Sequence, residues 1–279
     1  MTILSLCSGY GGLEQAIHQT FGPLPITAYC DNYKPARQVL RAHNPHTPIH
    51  TNVTDTYLTQ YDPTIIAFGF PCQDLSNAGK RAGLNGTRSS LFYDCMDIVR
   101  AAYPTEVIIE NVPQVERYKD VINQEFWDAG YTTSWARAQA CEVGLPHKRE
   151  RVFIYAHRLG RPPRQQANPQ TPTPVTPTFP TPTVVDMGWG RTTQEWNTWV
   201  ETQKARHNNG NGHGRSLYQL CGEGTLLTME HLMGLPTGYI TNQPISESAK
   251  RRLLGNGVAP KQGALGIYRA WKQHQENQK

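Results

Sequence analysis

The chain has 279 residues, a net charge of +5 and 38% hydrophobic residues, which suits one large domain or a domain with a smaller insert. No window approaches the roughly 18 consecutive apolar residues of a membrane span, and the N-terminus lacks a secretion signal. We therefore expect a cytoplasmic protein without a membrane partner. The six cysteines are scattered, which predicts free thiols and no metal site. Most of the positive excess lies in residues 158–215, which is compatible with a polyanionic partner and also with an ordinary solvated surface.

Up to about residue 157, short apolar segments alternate with amphipathic ones. This alternation predicts an α/β fold with a parallel sheet and helices on both faces. The predicted strands are 2–6, 27–30, 65–68, 107–109 and 152–156, and the predicted helices are 13–20, 34–43, 90–102 and 117–128.

The composition changes abruptly after residue 160. Eight prolines between positions 162 and 182 disfavour helix, and the stretch is either a linker or part of a small folded module. Thr192 and Glu195 then form a capping-box pattern, which opens a helix with two tryptophans on one face. From residue 246 the chain is helical and basic. We therefore predict three parts, residues 1–160, 161–245 and 246–279.

Cys72 is the most informative residue. It follows the apolar run 65–68 and a stiffening Pro71. A buried strand delivers the next residues to the carboxyl edge of the sheet, where open α/β folds bind their ligands. The position favours a presented nucleophile, although a cysteine inside a cell is often a small buried hydrophobe.

A glycine-rich loop follows the first predicted strand and opens a helix. Gly9, Gly11 and Gly12 allow a tight turn and close approach of a ligand to the helix N-terminus. Asp31 ends the next strand, where an acid suits hydrogen bonding to ribose hydroxyls. Together these features predict a cofactor that contains a nucleoside.

Glu110 ends the strand 107–109 and so lies at the same sheet edge as Cys72. Partial burial would favour its protonated form and suit a proton donor, although a capping or salt-bridged acid fits equally well. Arg149 and Arg151 alternate at the start of a strand, so their side chains should point the same way and could hold a carbonyl oxygen and a phosphate. An exposed basic strand start is the simpler alternative.

The order of these motifs resembles the C5-cytosine DNA methyltransferases along nearly the whole chain. The resemblance rests on Pro71-Cys72-Gln73, Glu110-Asn111-Val112 and Arg149-x-Arg151 in combination. It implies a Rossmann-like S-adenosylmethionine-dependent methyltransferase sheet and a small irregular target recognition domain. The implied reaction transfers a methyl group from S-adenosyl-L-methionine to C5 of a flipped-out cytosine in a specific double-stranded DNA sequence.

The resemblance also assigns roles to residues. Cys72 would add to C6 of the base, Glu110 would protonate N3, and Arg151, assisted by Arg149, would hold O2. The implied partner is double-stranded DNA, with a cognate restriction endonuclease as a further candidate, and we expect a monomer in the cytoplasm of a bacterial cell or phage-infected host. The implied DNA-binding residues are Ser76, Lys80, Arg81 and Arg88. The implied cofactor-binding residues are Cys7, Gly9, Tyr10, Gly11, Gly12, Asp31, Asn32, Asn52, Val53, Gly69, Pro71, Leu91, Asn256 and Val258.

Three positions depart from the family pattern. Cys7 stands where a phenylalanine usually stacks on adenine, so we expect weaker cofactor binding. Asn52 replaces a common aspartate, and His147 replaces a usual glutamine. None of these changes removes the predicted nucleophile, acid or arginines.

Two other functions fit part of the pattern. A tRNA cytosine-C5 methyltransferase would share the catalytic motifs, but the Cys-Phe-Thr element typical of such enzymes is absent. A catalytically silent DNA-binding module would not need Cys72, Glu110 and both arginines. A flavin or nicotinamide enzyme would explain only the glycine loop.

Overall fold

The computed structural model describes residues 1–70, 91–162, 164–184, 189–207 and 216–278. No helix in these ranges is long and apolar enough to span a membrane. One seven-stranded sheet lies at the centre, in the order β3-β2-β1-β4-β5-β7-β6. Its strands are β1 (Ile3–Leu6), β2 (Ile26–Cys30), β3 (Ile49–His50), β4 (Ile65–Gly69), β5 (Glu106–Asn111), β6 (Tyr131–Gln139) and β7 (Glu150–Arg158). The helices are α1 (Gly12–Phe21), α2 (Lys34–His43), α3 (Leu91–Ala102), α4 (Lys119–Asp128), α5 (Thr193–His207), α6 (Leu217–Cys221), α7 (Thr225–Leu232), α8 (Glu247–Asn256) and α9 (Pro260–Asn277).

The sheet is mixed, which corrects the prediction of a parallel sheet. The first five strands in spatial order, β3 to β5, run parallel, whereas β7 is antiparallel to both β5 and β6. Only ten residues separate β6 from β7, and so short a connection joins antiparallel neighbours rather than a parallel crossover. The prediction of an α/β sheet with helices on both faces is confirmed.

Alternate residues of each strand pack against helices on opposite faces of the sheet. In β4, Ile66 and Phe68 belong to a core that includes α3 and α4, whereas Ile65 and Ala67 face α1 and α9. Because both faces are covered, the central strands are continuous apolar segments without polar alternation. Packing on both sides fixes the ends of these strands, from which the candidate site is built.

The predicted capping box is present at the start of α5. The Glu195 carboxylate accepts a hydrogen bond from the Thr192 backbone N–H at 2.8 Å, and Thr192 Oγ1 accepts one from the Glu195 N–H at 3.2 Å. Trp196 and Val200 are buried on the same face of this helix, as its periodicity predicts.

The described part of the proline-rich stretch, residues 164–184, runs without helix along the core. The Thr178 N–H donates to the Pro146 carbonyl at 3.0 Å, and the Asn168 N–H donates to the Thr20 carbonyl at 2.6 Å. Arg164 forms a 2.8 Å ion pair with the buried Glu106. These contacts hold the stretch against the sheet domain.

Candidate active site

A cavity of about 350 Å³ opens at the carboxyl ends of β1, β2, β4 and β5. The loops that follow these parallel strands form most of its wall, as expected at the carboxyl edge of an open α/β sheet. The end of α8 and the turn before α9 complete the wall. A shallow groove lies beside the cavity and shares Val112 and Arg151 with it.

The loop after β1 turns sharply beneath this cavity. Gly9 and Gly11 have φ angles of +58° and +87°, which favour glycine, and Cys7 adopts a φ of +53° without being one. A Cβ atom at Gly12 would lie 2.2 Å from the Val258 carbonyl oxygen. Glycine at position 12 therefore lets the N-terminal loop approach the C-terminal turn closely.

Asp31 follows β2 and is held against the same loop. Its Oδ2 accepts a hydrogen bond from the Gly9 N–H at 2.8 Å, and its Oδ1 accepts one from the Tyr33 N–H at 2.7 Å. Burial raises the pKa of this carboxyl, and the two backbone donors and nearby arginines oppose the rise. Each oxygen has further acceptor capacity, which suits the two hydroxyls of a ribose.

Glu110 and Arg151 form an ion pair where the cavity meets the groove. Arg151 Nε lies 2.9 Å from Glu110 Oε1, and both side chains are largely buried. Burial raises the Glu110 pKa, whereas the charges of Arg151 and Arg149 oppose that rise. A Cβ atom at Gly69 would lie 3.3 Å from Glu110 Oε2, so the glycine that ends β4 leaves room for this carboxyl.

Arg149 contacts a different set of partners from Arg151. It is 2% exposed, and its guanidinium donates to the carbonyls of Pro182, Gly255 and Gly257 at 3.2, 3.0 and 2.5 Å. Burial lowers its pKa to about 9. Arg149 thus connects the start of β7 to the proline-rich stretch and to the turn that closes the cavity.

Most of the described residues that were predicted to bind the cofactor lie around this cavity. Gly11, Asn52 and Val53 are not among its lining residues, and the Asn52 side-chain oxygen accepts a hydrogen bond from the Thr54 N–H. The predicted residues in the wall are Cys7, Gly9, Tyr10, Gly12, Asp31, Asn32, Gly69, Leu91, Asn256 and Val258.

Several predicted residues lie outside the described part of the chain. They are the nucleophile Cys72, Pro71 and the four DNA-contact candidates Ser76, Lys80, Arg81 and Arg88. The described chain reaches Phe70, whose carbonyl accepts a 2.8 Å hydrogen bond from the Asn111 side chain. That bond fixes the backbone just before Pro71 to the strand that carries Glu110.

The cavity also contains functional candidates that the sequence reasoning did not identify. Glu14 is buried in its wall, and Arg252 lies at its edge with its guanidinium 4.3 Å from the centre of the Tyr33 ring. An acid in the first turn of a helix usually interacts favourably with the helix dipole, so the sequence position of Glu14 did not indicate a functional role. Arg252 is distant in sequence from Tyr33, so no local pattern linked the two residues.

Comparison with known proteins identifies the family. The sequence matches the family described as C-5 cytosine-specific DNA methylase over residues 1–222. Because this match covers most of the chain, the protein belongs to that family.

Similar proteins include the Type II methyltransferase M2.BsuMI of Bacillus subtilis, which is 27% identical over 93% of this chain and 72% of its own length. Type II methyltransferase M.NlaX of Neisseria lactamica is 30% identical over 54% of this chain, and the match covers 50% of the length of M.NlaX. The fold is similar to that of S. pombe Dnmt2 methyltransferase, with a TM-score of 0.67, 15% identity and coverage of 98% of this chain and 99% of the other.

Proposed function

We propose that this chain transfers a methyl group from S-adenosyl-L-methionine to C5 of a flipped-out cytosine in a specific double-stranded DNA sequence. The observation that carries the proposal is the buried Glu110–Arg151 pair, which lies where the cofactor-sized cavity meets an open groove. The cavity would hold the cofactor, and the groove would admit the base. Family membership supports the choice of cytosine and DNA.

The residues of the cavity fit the methyl donor. Asp31 offers two carboxylate oxygens that are suited to ribose hydroxyls, and the volume of the cavity falls in the range of small-molecule sites, about 300–1,000 Å³. When bound, S-adenosylmethionine supplies an electrophilic methyl group.

The chain's own residues would make the cytosine ring reactive. The Cys72 thiolate would add to C6, while Glu110 donates a proton to N3, so that electron density moves to C5. General acid catalysis of this kind is worth roughly 10²–10⁴ in rate. After methyl transfer, a base such as water would remove the C5 proton and the N3 proton would return to Glu110, which expels the Cys72 thiolate and restores the aromatic ring.

Arg151 and Arg149 would have different roles in this reaction. Arg151 lines both the cavity and the groove, which suits it to hold the O2 atom of the base. We propose that Arg149 assists by adding positive potential beside Glu110 and by fixing the turn at Gly255–Gly257. Arg149 would therefore support Arg151 at the same edge of the base.

The biological setting is also part of the proposal. Relatives named Type II methyltransferases suggest a role in restriction and modification, with a cognate endonuclease as partner. We propose that the protein acts as a monomer in the cytoplasm and that residues 161–245 read the DNA sequence from the major groove.

Conversion-based sequencing of DNA from cells that express the protein tests the proposal. Wild-type protein should protect cytosines in one short sequence context, Cys72→Ala should protect none, and Cys141→Ala should behave as wild type. Incubation of separate DNA and tRNA samples with labelled cofactor distinguishes the two substrates. Label in tRNA alone would show that tRNA, and not DNA, is the substrate. DNA binding without transfer of label to either nucleic acid would indicate a catalytically silent DNA-binding module.

A further inference from the structure

Glu14 is a buried acid in the cavity wall that the proposed reaction does not use. Its side chain projects from the first turn of α1, and the residue is only 1% exposed. Its Oε1 accepts a 2.5 Å hydrogen bond from the Oγ of Ser5, a residue of β1. Its Oε2 has no hydrogen-bond partner within the part of the chain that the structure describes. A buried carboxyl oxygen without a donor is costly, so a ligand that supplies one would be stabilised.

The surroundings of Glu14 favour a cationic ligand. Burial raises its pKa to about 7, and the hydrogen bond from Ser5 opposes the rise. The ionisable groups that face it are the Asp31 carboxyl and the phenols of Tyr29 and Tyr239, none of which is a cation. A positive group that entered this part of the cavity would therefore find an acid able to ionise and no competing cation.

We infer that Glu14 binds the α-ammonium group at the amino-acid end of S-adenosylmethionine. The inference rests on the proposed function, because it takes the methyl donor as the ligand of this cavity. A nucleoside cofactor with its ribose at Asp31 would need partners for its amino-acid end elsewhere in the wall. Glu14 lies two residues beyond Gly12 in that wall, and its Oε2 is a buried carboxyl oxygen without a hydrogen-bond donor or cation in the described chain. The other buried carboxyl oxygen of the wall without a hydrogen bond, Glu110 Oε1, already lies 2.9 Å from the Arg151 guanidinium.

Calorimetric titration with two ligands that differ only in the ammonium group measures the contribution of that group to affinity. The first ligand is S-adenosylhomocysteine, and the second is its des-amino analogue, in which hydrogen replaces the ammonium. Glu14→Gln should weaken binding of S-adenosylhomocysteine by about 10- to 100-fold, the range of a hydrogen bond between charged groups, and leave the analogue within about twofold. Asp31→Asn is the matched control, since it should weaken both ligands equally.

Proton release gives a second measurement on the unmodified protein. At about pH 6.5, S-adenosylhomocysteine should expel a proton from Glu14, whereas the analogue should not. Burial holds the phenol pKa values of Tyr29 and Tyr239 far above this pH, the latter at about 12, so these groups contribute no proton. Calorimetry in buffers of different ionisation enthalpy measures the release even if Glu14→Gln fails to fold.

Each result has a distinct meaning. Equal losses for both ligands in folded Glu14→Gln, or no loss for either, would overturn the role of Glu14, as would equal proton release by both. Failure of the wild-type protein to bind S-adenosylhomocysteine at all would instead overturn the proposed cofactor.

Discussion

Buried His147 should lower the free energy of unfolding in mild acid, and the substitution His147→Gln should remove this loss. The residue is fully buried, and its Nε2 lies 2.8 Å from the Leu232 carbonyl oxygen, which the neutral ring can satisfy with one N–H. Its Nδ1 has no hydrogen-bond partner in the described chain. Burial lowers the pKa of His147 to about 4 from an ordinary 6.5.

The magnitude follows from this difference in pKa. Between about pH 6.5 and pH 4 the unfolded chain binds a proton at His147 and the folded chain does not, so the free energy of unfolding falls as the pH falls. From about pH 7.5 to pH 5 the loss is on the order of 2 kcal/mol. His274, whose pKa is also about 4, adds a loss that a change at position 147 leaves in place.

Urea unfolding followed by tryptophan fluorescence measures this loss. In His147→Gln an amide N–H can donate to the Leu232 carbonyl, but nothing titrates, so the variant should lose about 2 kcal/mol less than wild type over the same pH range. Exposed His46 provides the control, since His46→Gln should follow wild type. If His147→Gln and wild type lose stability in parallel, the assignment of a neutral buried ring is wrong.

Three further predictions concern the cavity. Glu110→Gln should lower kcat by roughly 10²–10⁴ while cofactor affinity stays constant, measured by transfer of labelled methyl groups and by calorimetry. Gly69→Ala should also lower kcat, because its Cβ would crowd the Glu110 carboxyl; unchanged turnover would show that the strand gives way. Cys7→Phe should tighten S-adenosylmethionine binding by calorimetry, because the ring would supply a stacking surface for adenine; equal affinity in both proteins would contradict a weakened adenine pocket.

The strands that carry the site were predictable because they are buried on both faces. Continuous apolar runs marked β1, β4 and β5, and the polar residues after them had to meet at one edge of the sheet. The edge strand β6 was missed, since Tyr131–Gln139 is mostly polar and partly exposed. Without β6 the hairpin with β7 was not visible, and the sheet was predicted to be parallel throughout.

The site itself was predictable as a set of residues but not as a set of contacts. Alternation at the start of the predicted strand indicated that the Arg149 and Arg151 side chains would point the same way and act together. Their partners instead depend on segments remote in sequence, because Arg149 donates to carbonyls at Pro182, Gly255 and Gly257. Long-range hydrogen bonds to backbone carbonyls leave no signature in residue type, so only the folded chain reveals them.

The close approach of Gly12 to Val258 has a consequence for biosynthesis. The cavity is formed by the first loop of the chain together with residues 252–258, which the ribosome makes some 240 residues later. A nascent chain that has not yet reached Val258 lacks part of the cavity wall. The full stabilisation that a ligand of this cavity gives the sheet is therefore expected only after the turn before α9 has emerged and docked.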